Sequence, residues 1–183
     1  MGRLDGKVAI VTGGASGFGK GIATKFIAEG AKVVIADLSE DTGKAVASEL
    51  AGTSKAAVFV RANVTSRDDW ANLLKTCTDT FGGLDIVVNN AGASYVNKAT
   101  EDVTDSEFDL VFNVNVKSIY LSASVLLPYF LDSGRPGCFI QVASTAGVRP
   151  RPRLTWYNAS KAAAINATKV SSPPLEKTLS HCL

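Results

Sequence analysis

Residues 7–19 read KVAIVTGGASGFG, and this stretch is the strongest indication of the fold in the chain. Its first part, Lys7 to Val11, is a short apolar run rich in β-branched side chains, which predicts a buried strand. Glycines crowd the turn that follows, and Ile22, Phe26 and Ile27 then recur at helical spacing. A strand, a glycine turn and a helix in this order aim backbone N–H groups and a helix N-terminus at a pyrophosphate. The stretch therefore predicts a dinucleotide-binding turn, although its spacing G-x-x-x-G-x-G is a variant of the usual G-x-G-x-x-G.

A nucleoside-triphosphate site is the competing interpretation of the same glycines. Residues 14–20 read GASGFGK, one residue short of the P-loop signature. That signature continues with a Ser or Thr whose hydroxyl binds Mg²⁺, and Gly21 stands at that position. The missing hydroxyl disfavours phosphoryl transfer.

An acidic residue ends the second predicted strand, Lys32 to Ala36. Asp37 stands twenty positions after Gly17, where a carboxylate can bind both ribose hydroxyls of an adenosine and repel a 2′-phosphate. Leu38 follows and offers no positive charge to such a phosphate. These two residues favour NAD over NADP. The alternative is that Asp37 is a turn residue or the lead-in to a helix cap, since Ser39 comes next.

The rest of the chain alternates between strand-like and helix-like segments, a rhythm typical of a parallel sheet covered on both faces. The further predicted strands are 56–61, 85–88 and 138–142, and the predicted helices are 17–29, 40–50, 67–81, 105–130 and 157–170. Two helix starts carry capping boxes, Thr104-x-x-Glu107 and, in a weaker acidic form, Ser66-x-x-Asp69. We therefore expect an α/β fold of the Rossmann type, a doubly wound parallel sheet with helices on both faces.

The last of these helices carries the residues with the clearest chemistry. Residues 157–161 read YNASK, and Ser144 lies thirteen positions upstream of Tyr157, just after an apolar run rich in β-formers. A phenol normally keeps its proton up to a pKa of about 10, and a cation beside it favours the phenolate. Tyr157 and Lys161 are four apart, so they are neighbours on one helix face. The pattern predicts a site that moves a proton on or off an oxygen; a helix that carries a Tyr and a Lys by chance is the alternative.

Taken together in this order, these motifs resemble the short-chain dehydrogenase/reductase family over about residues 5–170. The resemblance implies a hydride transfer between NAD and a secondary alcohol or ketone, and a dimer or tetramer built on the helices at 105–130 and 157–170. It implies catalytic roles for four residues: Asn115, Ser144, Tyr157 and Lys161. Asn113 lies close by, but its spacing from the other motifs does not match the asparagine of the family. The cofactor contacts that it implies come from Thr12, Gly13, Ser16, Gly17, Phe18, Gly19, Asp37, Leu38, Asn63, Val64, Asn90, Ala91, Gly92, Tyr157 and Lys161.

Two details of the resemblance concern asparagines. Asn63-Val64 stands where the family usually has Asp-Val against the adenine, and an amide could still contact the edge of that ring. Residues 89–92 read NNAG, the segment that in the family steadies the sheet beside the nicotinamide ribose. Asn115 matches the asparagine that holds a proton-relay water.

Composition narrows the remaining classes of function. The chain has 183 residues, 46% of them hydrophobic, and a formal net charge of +2, which suits one domain with a real core. The tightest basic cluster consists of arginines 149, 151 and 153, which alternate with prolines. This alternation predicts a stiff loop rather than a surface that binds nucleic acid. A contact between this loop and an anionic substrate is the less favoured alternative. Three cysteines without metal or redox spacing fit a reducing cytosol, and we expect no metal site. We also expect no membrane span and no signal peptide.

The end of the chain departs from the family. We expect the dinucleotide-binding domain to occupy residues 1–170 and an atypical tail to occupy 171–183, where Pro173-Pro174 prevents the helix from continuing. Family members usually add two further strands, so we expect a fold that lacks them and leaves the strand at 138–142 as an apolar edge. The alternative function is a truncated, catalytically impaired form that only binds dinucleotide or self-associates.

Overall fold

The computed structural model describes residues 2–52 and 55–170, and they form one parallel sheet flanked by helices. The predicted tail and Cys182 lie outside these residues. The strands are β1 (Val8–Thr12), β2 (Lys32–Asp37), β3 (Ala57–Arg61), β4 (Ile86–Asn89) and β5 (Cys138–Gln141). The helices are α1 (Gly17–Ala28), α2 (Glu40–Ala51), α3 (Arg67–Phe81), α4 (Asp105–Phe112), α5 (Ser118–Ser133) and α6 (Thr155–Val170).

The described strands lie in the order β3-β2-β1-β4-β5, and every pairing is parallel. The chain moves outward from β1 to β3 on one side and then returns to place β4 on the other side. The order therefore reverses between β1 and β4, and in such sheets the crevice at the carboxyl ends of these strands is where ligands bind. The doubly wound α/β fold predicted from the sequence is confirmed.

Each face of the sheet carries its own hydrophobic core, because side chains alternate along a strand. In β1, Val8 and Ile10 pack towards α3 and α5, where Trp70 and Phe130 are fully buried. The neighbouring residues of β1, alanine 9 and valine 11, pack towards α1 and α2 on the other face. Burial on both faces explains why the strands read as continuous apolar runs.

The capping box predicted at Thr104 forms in full, whereas at Ser66 only the serine half of the predicted box forms. The Thr104 hydroxyl accepts the Glu107 N–H, and the Glu107 carboxylate accepts the Thr104 N–H. At the start of α3 the Ser66 hydroxyl accepts the Asp69 N–H at 3.3 Å. These caps satisfy N–H groups that have no partner inside the helix.

The helix predicted at 105–130 differs from the expectation in two ways. A π-helical turn, Asn113–Lys117, separates α4 from α5, and the helix continues to Ser133. By length and composition the whole segment, Asp105–Ser133, is also long and apolar enough to cross a membrane. Core helices of folded domains pass the same test, and α5 buries its Leu126 and Phe130 against the sheet.

The outer side of β5 is the open edge expected from the sequence. Among the described residues β5 pairs only with β4, and its four residues are half-buried. A hollow of about 470 Å³ lies beside it, with Leu4, Phe26 and Ile140 in its apolar lining.

Candidate active site

The glycine turn between β1 and α1 has a backbone that only glycine adopts easily. Gly13 and Gly17 have φ values of 62° and 51°, in the left-handed region. Gly19 is needed for a different reason, because a Cβ there would lie 2.0 Å from the Gly13 carbonyl oxygen. Ser16 precedes α1 but makes no side-chain cap, so the first N–H groups of α1 are left to a ligand. The turn has the form of an anion cradle.

A cavity of about 470 Å³ opens above this turn, over the carboxyl ends of the strands. Its lining comes from five segments of the chain: residues 13 and 16–18, 36–38, 62–64, 90–93, and the helical residues 110 and 114. Phe18 and Leu38 are large apolar side chains that are 84% and 59% exposed at its rim. Apolar side chains exposed at a cavity mouth are suited to cover the flat rings of a ligand.

Asp37 lies at the end of β2, in the wall of this cavity. One carboxylate oxygen accepts the Ala15 N–H at 3.0 Å, and the other accepts the Ser39 N–H at 3.0 Å. The turn role given above as the alternative is therefore present. Each oxygen keeps a second lone pair, so the same carboxylate can also accept ribose hydroxyls. The two interpretations of Asp37 are compatible.

Thr12 has a structural role that its place in the motif did not suggest. Its hydroxyl, 1% exposed, donates to the Val88 carbonyl and accepts the N–H groups of Asn90 and Ala91 at 2.9 and 3.0 Å. The Asn90 side chain in turn donates to the carbonyl oxygens of Thr12 and Gly13. These bonds join the carboxyl ends of β1 and β4 beneath the cavity. Thr12 therefore shapes the cavity floor rather than reaching into it.

Asn115 lies in the π turn, and its side-chain amide joins three parts of the chain. Oδ1 accepts the Ala93 N–H at 2.8 Å, and Nδ2 donates to the Ala93 carbonyl at 2.9 Å and to the Ser160 hydroxyl at 3.0 Å. The amide thus connects the helix at 105–133, the loop after β4 and α6. The residue is 3% exposed. Asn113 makes no such contact among the described residues; its carbonyl accepts the Ser118 N–H.

Lys161 lies buried close to the cavity, with 6% of its surface exposed. Its ammonium donates to the Val142 carbonyl at 3.0 Å, and burial lowers the pKa of the ammonium. A Cβ on Gly92, which lines the cavity, would lie 3.4 Å from both the Lys161 Nζ and the Asn115 Oδ1. The structure therefore brings together two of the four predicted catalytic side chains beside Gly92 in the cavity lining.

The other two predicted catalytic residues flank Lys161. Ser144 comes two residues after Val142 and its hydroxyl accepts the Ala146 N–H at 3.1 Å, which leaves the hydroxyl proton to be donated elsewhere. Tyr157 is one helical turn before Lys161 in α6 and is half-buried. Its ring packs against the small cluster formed by Tyr95, Val111 and Leu154.

Tyr95 is a residue that the sequence analysis missed. It is 8% exposed, and its hydroxyl accepts the Trp156 N–H at 3.1 Å in the first turn of α6. The hydroxyls of Thr100 and Thr155 meet at 2.8 Å beside it. The loop after β4 therefore holds the start of the helix that carries Tyr157. An aromatic residue shortly after NNAG was the only signal, and it belongs to no motif.

The Arg-Pro loop packs mainly on a different side of α6 from the side that carries Tyr157 and Lys161. Asn158 fixes the loop by accepting the Arg151 N–H and donating to the Arg151 carbonyl. A hollow of about 510 Å³ lies there, against the α6 residues 155, 158, 159 and 162. At 3.6 residues per turn these positions centre roughly 130° around α6 from the direction of Tyr157 and Lys161, and Asn158 is the nearest of them to Lys161. This placement disfavours the alternative in which the loop meets the substrate.

Metal ligands do not gather in the part of the chain that the structure describes, where no three His, Cys, Asp or Glu side chains lie together. The site consists instead of an amide cradle, a carboxylate at the ribose position and a buried ammonium. This set is suited to hold a dinucleotide and to move a proton beside it.

Comparisons with known proteins agree with this description. The family model described as short chain dehydrogenase matches residues 7–178. The chain is 47% identical over 167 residues to 4-formylbenzenesulfonate dehydrogenase of Comamonas testosteroni, covering 91% of this chain and 66% of that protein. It is 38% identical over 161 residues to an NADP-dependent (R)-specific alcohol dehydrogenase of Lentilactobacillus kefiri, covering 88% and 63%. The chain thus spans about two thirds of the length of these relatives.

Solved structures show the same fold. The structure of 3-ketoacyl-(acyl-carrier-protein) reductase from Brucella melitensis complexed with NADH superposes with a TM-score of 0.91 at 38% identity, covering 97% of this chain and 74% of that one. A short-chain dehydrogenase/reductase from Burkholderia phymatum in complex with NAD gives a TM-score of 0.93 at 28% identity, covering 100% and 66%.

Proposed function

The chain belongs to the short-chain dehydrogenase/reductase family, and on that premise we propose that it is an NAD-dependent oxidoreductase acting on a secondary alcohol or ketone. The observation that carries the proposal is the position of Lys161. Its buried ammonium and the Asn115 amide lie beside Gly92, which lines the same cavity as the glycine turn and Asp37. A proton-handling group beside the cavity and a ribose-binding carboxylate in its lining suit a dinucleotide whose nicotinamide reaches the proton site.

The residues of the cavity fit NAD in its three parts. The amides of residues 13–19 would hold the pyrophosphate, Asp37 the adenosine ribose, and residues 90–92 with Tyr157 and Lys161 the nicotinamide ribose. When bound, the nicotinamide supplies hydride chemistry. The Asp37 carboxylate would repel the 2′-phosphate of NADP, and Leu38 offers no charge to offset it. The bound NADH and NAD of the two similar structures agree with this preference, whereas the relative from Lentilactobacillus kefiri is NADP-dependent by name.

Proton transfer would depend on four side chains of this chain. In the oxidation direction, Tyr157 as phenolate takes the proton of the substrate hydroxyl, and the Lys161 ammonium one helical turn away stabilises that anion. The Ser144 hydroxyl donates its proton to the substrate oxygen and orients it. Both hydrogens of the Asn115 side-chain amide are already donated, so a relay water at this residue would be held by an oxygen atom.

The decisive experiment is NADH formation from NAD with a panel of secondary alcohols, together with 4-formylbenzenesulfonate, the compound named for one relative. Tyr157→Phe removes only the hydroxyl, and Tyr120→Phe makes the same change on an exposed face of α5. We expect Tyr157→Phe to lower kcat by roughly 100-fold or more, as loss of general acid–base catalysis does, and Tyr120→Phe to leave kcat unchanged. Activity that survives Tyr157→Phe would refute the proton-transfer role.

A binding-only or self-associating module is the second candidate. The relatives named above are dehydrogenases, which favours the enzymatic candidate. Self-association is compatible with either one, and we propose a homo-oligomer, a dimer or a tetramer, built on the helices at 105–133 and 155–170. Light scattering after size-exclusion chromatography measures this, and a monomer at micromolar concentration would contradict it.

A reducing compartment remains our proposal for the location, and the cytoplasm is the one expected from the cysteines. No disulfide joins Cys77 and Cys138 in the described part of the chain. Burial raises the pKa of the Cys77 thiol to about 12, which makes it unreactive.

A further inference from the structure

The hollow of about 470 Å³ beside β5 opens on the face of the sheet that carries α1 and α2. Its apolar lining comes from Leu4, from Phe26 of α1, and from Ile86 and Ile140 of the last two strands. On this face α1 and α2 pack over β1 and β2, whereas β5 is only half-buried along its whole length. Within the described part of the chain, β5 also pairs with β4 alone. An apolar hollow next to an unpaired strand edge is suited to receive a further apolar segment.

The direction of α6 brings the following part of the chain to this hollow. Lys161 lies near the carboxyl end of β5, because its ammonium donates to the Val142 carbonyl at 3.0 Å. The helix then runs back along the strand and ends nine positions later at Val170, which is about 13 Å at 1.5 Å per residue. β5 measures about the same 13 Å from Val142 back to Cys138. α6 therefore ends roughly level with Cys138, which lines the hollow.

The connection after α6 is long enough to reach the hollow. Residues 171–174 read SSPP and lead into the segment 175–183, and both lie outside the described residues. Because α6 bonds to the π turn before α5, it lies on the α5 face of the sheet, and the chain has to pass the outer edge of β5. Packed layers are roughly 10 Å apart, whereas the five steps from Val170 to Leu175 span up to about 18 Å.

The segment 175–183 has the composition that the hollow requires. It reads LEKTLSHCL, and its leucines at 175, 179 and 183 recur every fourth residue, a spacing typical of one apolar face. The residues between the leucines are charged or polar except for Cys182. A second copy of the chain could offer an apolar surface too. The tether favours the chain's own segment, because a short linker gives an effective concentration in the millimolar range.

We propose that the hollow beside β5 is a docking site for residues 175–183 of the same chain, with the leucine stripe against Phe26 and Ile140. Docking removes apolar surface of the leucines and of the hollow from water, which stabilises the fold. The hollow lies at the amino ends of the strands and the cofactor cavity at their carboxyl ends, so this docking is independent of the proposed function.

Two cysteines of the unchanged chain can report the docking. Cys138 lines the hollow, and Cys182 is next to the last leucine of the stripe. A short bismaleimide joins thiols that lie close together, and mass spectrometry of the tryptic peptides identifies the joined pair. A denaturing gel separates a link within one chain from a link between two chains. Cys77 is fully buried and its thiol has a pKa raised to about 12, so its labelling reveals a variant that has unfolded.

The variants are Leu179→Asp, which puts a charge into the stripe, and Thr178→Asp, which puts the same charge at the neighbouring position. We expect a link between Cys138 and Cys182 within one chain. Leu179→Asp should lower its yield by roughly 10-fold or more, because burial of a leucine changes an equilibrium by at least that factor. Thr178→Asp should change the yield by less than about twofold, as a surface substitution does.

Three results would overturn the proposal. The first is the absence of this link in the unchanged chain, and the second is an equal yield in the two variants while Cys77 stays unlabelled. The third is a link that forms only between two chains, because it would assign the hollow to the segment of a second copy.

Discussion

Replacing Asn115 tests whether one buried amide holds the active site together. Asn115→Ala removes three hydrogen bonds, two to Ala93 and one to Ser160. The two Ala93 groups are partly buried, so water can replace the lost partner and each bond costs about 1 kcal/mol. The Ser160 bond is fully buried, and its loss together with the empty space costs about 1–2 kcal/mol. We therefore expect the free energy of unfolding to fall by roughly 3 kcal/mol.

Urea unfolding measured by circular dichroism checks this value, provided that the slope m stays constant between variants. A loss of this size corresponds to a fall of about 6–12 °C in Tm for a chain of this length. Asn113→Ala is the matched control in the same π turn, and it should cost less than about 1 kcal/mol. The reasoning fails if Asn115→Ala is no more destabilising than Asn113→Ala.

Three further predictions concern the glycine turn, the buried lysine and the start of α6. Gly19→Ala places a Cβ 2.0 Å from the Gly13 carbonyl oxygen and should abolish NAD binding in calorimetry, whereas Gly21→Ala meets open space in α1 and should stabilise the fold by up to about 1 kcal/mol. Lys161→Met removes a buried ammonium whose pKa is lowered, so it should stabilise the ligand-free protein by about 0.5–2 kcal/mol at pH 7. The unfolded chain binds the Lys161 proton more tightly than the folded chain does, so the stability of the unchanged protein rises with pH. The stability difference between the variant and the unchanged protein should therefore shrink towards pH 10.5, which urea unfolding at several pH values measures. Tyr95→Phe removes the hydroxyl that accepts the Trp156 N–H at the start of α6. It should lower kcat and reduce the free energy of unfolding by about 1 kcal/mol, while the dissociation constant for NAD stays unchanged. An unchanged kcat would show that this hydrogen bond does not position the helix.

Local sequence patterns were sufficient to predict most of the strands and helices. The strand predicted at 7–11 is shifted by one residue to Val8–Thr12, and α3 has the bounds that were predicted for it. The start of α6 was placed two residues late, because Thr155 and Trp156 carry no capping signal in the sequence. Their N-terminal contacts come from Tyr95 and Thr100, about sixty residues earlier in the chain.

The π turn shows most clearly what local patterns leave out. The residues at 113–117, NVNVK, fit an α-helix as well as a π-helix, and no propensity distinguishes the two. The wider turn occurs where Asn115 bonds to Ala93 and Ser160, groups that meet only after the sheet and α6 have assembled. The same holds for the Arg-Pro loop, whose side of α6 could not be known before Asn158 was seen to fix it.

The sequence by itself determined the parallel α/β architecture, the position of the dinucleotide turn and the residues that could carry acid–base chemistry. These three features depend on the identities and spacings of residues close together in the sequence. The patterns are clustered glycines, runs of β-branched residues, and a Tyr and a Lys four residues apart. Tertiary structure alone decided that Thr12 shapes the cavity floor, that Tyr95 holds α6 and that Asn115 joins the loop after β4 to α6. Each of those roles depends on hydrogen bonds to groups that are far away in the sequence. A polar side chain can donate to one group or accept from another, and only the folded structure determines which of these groups lies within reach.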